Sequence, residues 1–467
     1  MKLSEKEKIA HLYRRATFGE PIWKELPDNL SDAIQKIFSD SVRYDELSIP
    51  GDEKIKFGTI VQMETSKREE FLMDLAANVK LLNLKWIELM AKTQSQLREK
   101  MSLFWHNHLA LRGRGVKQVE NYADTIRGFS LENFGTMLLA VAKEPAMLRF
   151  LNAAQNKKES PNENFARELL ELFTLGRGHY SESDIKEAAR AFTGWSVDMN
   201  DEFKFKAQWH DSGTKTFLGK TGKWKGEDII KIALEQKQTA LYIVRKLWKY
   251  LVSPIENETH IKTLADVFYT SNYEIKPVLQ KIFESDWFYD LAVATPIIKS
   301  PTELLVGLTR QFGIAYQDLD QLLSFQRLMG QALFFPPNVS GWAGGRSWID
   351  NTTLVLRLKL PQVLFQNSNI ETEGSMNLNK EDAFKKEPDG QSNLRQIDCT
   401  VNWKMMASQL NNLKEQKLNQ HFNVRLFHSD TKLSTEKLLN DDVDYHTENG
   451  LNKLSLAFTQ SLSYQLM

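Results

Sequence analysis

At 467 residues the chain can bury a large core and form two or three domains, or one domain with insertions. Its 60 basic and 60 acidic residues cancel, which removes any global electrostatic case for binding nucleic acid or an anionic membrane, while leaving local patches open. A single cysteine, Cys399, excludes an intramolecular disulfide framework and a cysteine-based metal cluster within one chain, and reads as a buried thiol in a reducing compartment.

The opening MKLSEKEKIAHLYRRATFG is charged where a secretory signal needs an apolar core of about 7–15 residues, and no later stretch approaches the ~20 apolar residues of a membrane span. The expectation is a soluble, cytoplasmic protein. His11, Arg14 and Arg15 form a basic helix edge expected to pack against acidic helix ends. Leu97, Met101, Phe104, Trp105 and His108 follow steps of three and four, which predicts an apolar stripe on one long helix over 81–111, ended by Gly113 and Gly115. A second helical pattern over 124–150 is interrupted at Pro145, where a new helix begins. Residues 153–159 are polar and read as a loop.

Over 198–226 glycine and aromatic residues take over, and the alternation in EFKFKAQW suits a β-hairpin. Helical patterns resume at 226–251, 304–312 and 322–333, and FFPPNVSGWAGGRSW then forms a structured loop. After 360 the composition becomes polar, with 367–396 read as a linker or insertion, before weaker helical patterns at 403–413 and 452–466. The fold class is therefore mainly α: a multi-helix globular core over 1–360 with a small β-hairpin excursion and a long structured loop, a polar linker over 361–400, and a helical segment over 401–467 packing on the core. There is no internal repeat, P-loop or dinucleotide-binding glycine pattern.

Residues 160–195, SPNENFARELLELFTLGRGHYSESDIKEAARAFTGW, concentrate the candidate chemistry. Ser160 stands as a helix N-cap, with Pro161 in the first turn and Glu163 at the capping-box position. Phe165, Leu169, Leu172 and Phe173 define a core face, with Asn164, Glu168 and Glu171 along another. Arg167 is placed to pair with Glu163 or Glu171. Gly176 and Gly178 end the helix, and Ser181 with Asp184 caps a second helix that carries Glu187 and Arg190. As surface ion pairs these charges are worth ~0–1 kcal/mol each. As a site they converge on the turn: Glu168 and Glu171 as catalytic carboxylates, His179, Asp184 and Glu187 as ligands of a divalent metal, and Arg167 and Arg190 orienting an anionic group.

Outside this segment, His106 and His108 sit two apart and point ~200° from each other on a helix, so both cannot ligate one metal. His108 shares the apolar stripe and reads as a core histidine before it reads as a ligand. His210 and Asp211 offer a loop histidine beside a carboxylate, suited to catalysis, or else an Asx-turn in which Asp211 caps Gly213. Lys215 is either a contact for an anionic ligand or a solvated charge. Trp342 and Trp348, with Asn338 and Arg346, suit stacking on a sugar or peptide, though as large aromatics they read first as plugs of a helical core.

The stretch NENFARELLELFTLGRGHYSESDIKEAARAFTGW resembles the bacterial family catalogued as domain of unknown function 1800. The resemblance continues in HLYRRATFG, LFWHNHLA, AKEPAMLRFLN, HDSGTKTFLG, IIKSPTELL, PPNVSGWAGGRSWI and the closing SLSYQLM, and so covers nearly the whole chain. It implies a mainly helical fold and no assigned activity. Many relatives are exported and encoded beside a sulfatase-like protein, which implies a partner of that kind.

Two functional readings result. In the first the protein is a metal-assisted or carboxylate-based hydrolase, with His210 and Asp211 as the wall opposite Glu168 and Glu171. In the second it is a non-catalytic helical scaffold whose carboxylates and arginines pair off and fix helix register.

Overall fold

The structure is a computed structural model that describes residues 3–49, 65–113, 115–366, 397–428 and 443–467. Nineteen α-helices and three two-stranded antiparallel sheets, counted among the described residues, make the protein mainly α, as its periodicity predicts. No helix among them is long and apolar enough to cross a membrane. The polar stretch 367–396 lies outside the described residues. The chain divides into two compact units, one of residues 1–18, 26–297 and 332–345, the other of residues 19–25, 298–331 and 346–467.

In the first unit the stripe expected over 81–111 belongs to two helices, Thr65–Lys92 and Gln96–His108. Side chains make the break: the Gln96 amide turns back to donate to the carbonyls of Met90 and Thr93 at 2.8 and 2.9 Å, and the Thr93 hydroxyl accepts from Ser95 N at 3.1 Å. Leu97, Met101 and Trp105 are fully buried, as the spacing requires. The opposite face is buried too, because Glu99 accepts from the Arg127 guanidinium at 2.8 Å and from Trp86 Nε1 at 2.8 Å. Arg15 is buried and donates to the Thr295 carbonyl at 2.6 Å, since a side chain that leaves the solvent needs an acceptor inside.

Pro145 opens the Pro145–Phe150 helix as expected, and an additional break precedes Phe134–Lys143, where Asn133 caps Thr136 N at 3.0 Å. The 226–251 pattern is likewise two helices, Gly226–Leu234 and Lys237–Leu251. The β excursion is two hairpins: Trp195–Val197 with Phe203–Phe205, and Lys215–Phe217 with Lys220–Gly222. The second turns on Leu218 and Gly219, both at positive φ (44° and 78°), the sense of twist a two-residue hairpin favours.

In the second unit the Pro301–Phe312 helix is capped by Ser300 and its side chains hold the short 19–25 segment. Arg310 donates to the Glu20 carboxylate at 2.6 Å and to Gly19 O at 2.8 Å, while Arg425 donates to the carbonyls of Pro21 and Lys24. The closing SLSYQLM motif docks on IIKSPTELL, with the Lys299 ammonium donating to Tyr464 O at 2.6 Å and Arg357 bridging Gln465 and Lys299 O. Cys399 is buried with its thiol donating to Leu364 O, and burial pushes its pKa up to about 12. The Asn351–Gln366 helix runs past 360, and the Glu415–Leu426 helix, whose pattern is not apparent in the sequence, lies between Trp403–Leu410 and Glu448–Thr459.

Candidate functional site

The first helix of the charged segment starts at Glu163, two residues later than Ser160 and Pro161 suggest, because Asn162 is the N-cap and accepts from Asn164 N. Ser160 is occupied in a bridge with Lys157, and Asn162 N donates to Asn156 Oδ1 at 2.9 Å. From Leu169 to Thr174 the helix widens into a π-helical turn, with both Leu175 N and Gly176 N donating to Leu170 O. Thr174 Oγ1 donates to Leu169 O at 2.7 Å and supports the widened loop. Such turns are rare and recur at functional sites. Gly176 and Gly178 then end the helix at φ 79° and 83°, and a Cβ on Gly176 would stand 2.8 Å from the Tyr242 ring. The Ser181 and Asp184 capping box opens Glu182–Ala191 as expected.

Most of the charges around this corner are paired within the chain. Arg167 binds Glu163 at 3.2 Å and Glu182 at 2.9 Å, leaving Glu171 to Arg177 and to the Tyr180 hydroxyl, 3.0 Å away. Arg190 joins Glu187 at 2.8 Å to Asp211 at 2.7 Å, and Glu187 also accepts from Thr216 N at 3.1 Å, which ties helix to hairpin. Asp184 accepts from Ser181 and from Leu218 N at 2.8 Å; burial opposes the charge, but these bonds together hold its carboxyl below the usual range. His179 is exposed. Among the described residues no group of three or more histidines, cysteines and carboxylates is arranged to hold a metal ion.

His210 and Asp211, expected as an opposite wall, have internal partners of their own. His210 Nδ1 lies 2.8 Å from Thr193 O, and Asp211 Oδ1 accepts from Gly213 N at 2.8 Å, the Asx-turn arrangement. The bond from Arg190 holds the Asp211 carboxyl below the usual range. Lys215 is buried, its ammonium donating to the carbonyls of Asp211 and Gly213, so it clips the loop and is not a solvated charge. Trp342 is buried in the manner of a plug, 5.4 Å from the His106 ring, with its backbone N–H donating to Asn107 Oδ1 at 2.8 Å.

Glu168 differs from its neighbours. It is half-buried at the start of the π turn and makes no hydrogen bond or ion pair among the described residues. Burial, reinforced by the nearby Glu171 charge, raises its pKa.

The π turn also gathers groups that the charge pattern of the sequence does not mark. Lys246 donates to Leu172 O at 3.2 Å, as does the Tyr242 hydroxyl at 3.2 Å, so two side chains share the carbonyl that the widened turn leaves open. His108 Nε2 lies 3.2 Å from Phe173 O and its Nδ1 lies 3.0 Å from Lys246 Nζ. Since a carbonyl only accepts, Nε2 carries the hydrogen and Nδ1 receives one from Lys246. Burial, then the Lys246 charge, keeps His108 neutral, and burial pushes Lys246 down to about 8. His106 faces elsewhere, with Nε2 accepting from Phe334 N and Nδ1 against Tyr122 Oη; burial lowers its pKa to about 3. The only trace of Lys246 in the sequence is a lysine at the edge of an apolar stripe, four residues after Tyr242.

A fold built of many helices around such a corner defines the class, and the sequence defines the family. Residues 11–466 match the family described as "Protein of unknown function (DUF1800)", and the chain belongs to it. No curated protein and no solved structure matches the chain.

Proposed function

We propose that the protein is a carboxylate-based hydrolase in which Glu168 transfers the proton and Glu171 stands beside it at the π turn. The observation that carries this reading is the state of Glu168: half-buried, without a hydrogen bond or ion pair among the described residues, and with its pKa raised by burial and by Glu171. An acid–base catalyst needs a carboxyl group able to hold a proton closer to neutral pH, and a structural carboxylate does not. Tyr180 and Arg177 fix Glu171, so the pair has one fixed and one uncommitted member. The carboxylate-based form is favoured over the metal-assisted one because Asp184 is engaged by its capping box and Glu187 by Arg190.

The test is turnover of a panel of chromogenic esters, phosphate esters and glycosides and a labelled protein substrate by the wild-type chain and by Glu168→Gln. The expected result is hydrolysis of at least one class, reduced by ~10²-fold or more in the variant with its melting temperature maintained. Hydrolysis of none, or full activity in Glu168→Gln, overturns the reading.

The scaffold reading rests on a different observation, the closed Arg190–Glu187–Asp211 and Arg167–Glu163–Glu182 networks. Its partner would be the sulfatase-like protein suggested by the family resemblance. Under it Glu168→Gln is silent in every assay, and a stable complex with that partner survives size-exclusion chromatography.

A further inference from the structure

The Lys237–Leu251 helix buries Ala240, Ile243, Val244, Leu247 and Trp248, and Lys246 leaves the edge of that stripe to reach the π turn. Its Nζ lies 3.0 Å from His108 Nδ1, 3.2 Å from Leu172 O and 4.6 Å from the centre of the Tyr242 ring. No carboxylate lies within ion-pairing distance of it among the described residues, whereas Arg167, Arg177 and Arg190 of the charged corner are each paired with acids. An ammonium so placed is relieved most simply by losing its proton, and the side chain is half-buried, not sealed.

We propose that Lys246 is the attacking amine of a carbonyl-binding site and forms an imine with a small aldehyde or ketone at the π turn. The amine lone pair forms the C–N bond while the carbonyl π pair moves to oxygen. One N–H proton passes to His108 Nδ1, whose lone pair faces Nζ, and from there to that oxygen, giving a carbinolamine. The hydroxyl then leaves as water with the second N–H proton, so that amine and carbonyl become imine and water with no change of oxidation state. The groups facing Nζ are His108, which burial keeps neutral, and Tyr242, whose phenol burial holds up at about 12 and which feels Glu171, Arg177 and Tyr180. A lysine whose pKa burial lowers to about 8 supplies the free amine that this chemistry requires.

Reductive ethylation of the full chain with acetaldehyde and sodium cyanoborohydride at pH 7, mapped by mass spectrometry, tests the proposal. A lysine titrating near 8 is roughly 10²-fold richer in free amine at pH 7 than an ordinary one near 10.4. Allowing for partial burial, Lys246 is expected to react at least ~10-fold faster than the exposed Lys158 and Lys204, with a rate that levels off above its own pKa. His108→Gln is expected to slow Lys246 and leave Lys158 unchanged. Failure of Lys246 to react ahead of the exposed lysines overturns the proposal. Because the measurement uses wild-type protein, a folding defect in the variant does not obscure it. Glu168→Gln is expected to leave the labelling intact, so the outcome is separate from that of the hydrolase reading.

Discussion

Replacing Arg190 by methionine keeps most of the aliphatic stem and removes the guanidinium that joins helix to hairpin. Nη1 reaches both oxygens of Glu187 at 2.8 and 2.9 Å, while Nε and Nη2 reach Asp211 at 2.7 and 3.3 Å. The three side chains keep 29%, 21% and 20% of their exposure, so the contacts stand between a buried charged hydrogen bond, worth ~1.5–3 kcal/mol, and a solvent-screened pair, worth ~0–1 kcal/mol. Two such contacts give a loss of ~2 kcal/mol and, for a chain of this size, a fall in melting temperature of about 2–3 °C. The pH dependence follows from Asp211, whose carboxyl is lowered first by the bond from Arg190. A carboxyl lowered in the folded state contributes stability above its unfolded pKa and loses it as the pH falls through the folded value. Calorimetric melts of wild type and Arg190→Met are therefore expected to differ at pH 7 and to converge in acid, below the ordinary carboxylate range. Identical melts at pH 7, or a gap undiminished in acid, would refute the bridging role.

Glu99→Gln removes the buried partner of the wholly buried Arg127 guanidinium, leaving it only the partly exposed Asp124 carboxylate 3.5 Å away, and is expected to cost ~3 kcal/mol, the low end for breaking a buried pair, read from urea unfolding. Gly176→Ala places a Cβ 2.8 Å from the Tyr242 ring at φ 79° and is expected to cost ~1–3 kcal/mol. Burial lowers Lys246 to about 8 from the ordinary 10.5, so the unfolded chain binds more protons between those values. Stability of wild type relative to Lys246→Met should accordingly rise with pH across that window, in paired melts over the same range.

The amphipathic periods made the helices legible, as the burial of Leu97, Met101 and Trp105 and the new start at Pro145 demonstrate. The breaks were less visible, because they depend on single side chains such as Gln96 and Asn133 turning onto nearby backbone, which leaves the hydrophobic period intact. The charged corner was legible as a capped pair of helices and in its Arg167–Glu163 pair, but not in its pairing between helices. Arg167 chose Glu182 from the next helix, a partner that spacing along its own helix does not offer. Lys215 reads as solvated until the loop closes over it. The π turn leaves no compositional mark, since its residues LLELFT fit an ordinary helix, and the groups it collects come from helices distant in sequence.

The central claim is that Glu168 is an uncommitted carboxyl group and not one more structural charge. Its ionisation can be followed directly by 13C NMR of the full chain labelled at glutamate carboxyl carbons, with Glu168→Gln supplying the assignment. A midpoint above the ordinary glutamate range, falling when Glu171→Gln removes the neighbouring charge, is the result expected from burial reinforced by Glu171. A midpoint at or below that range would mean that Glu168 is paired like the other charges of the corner, and would contradict the account.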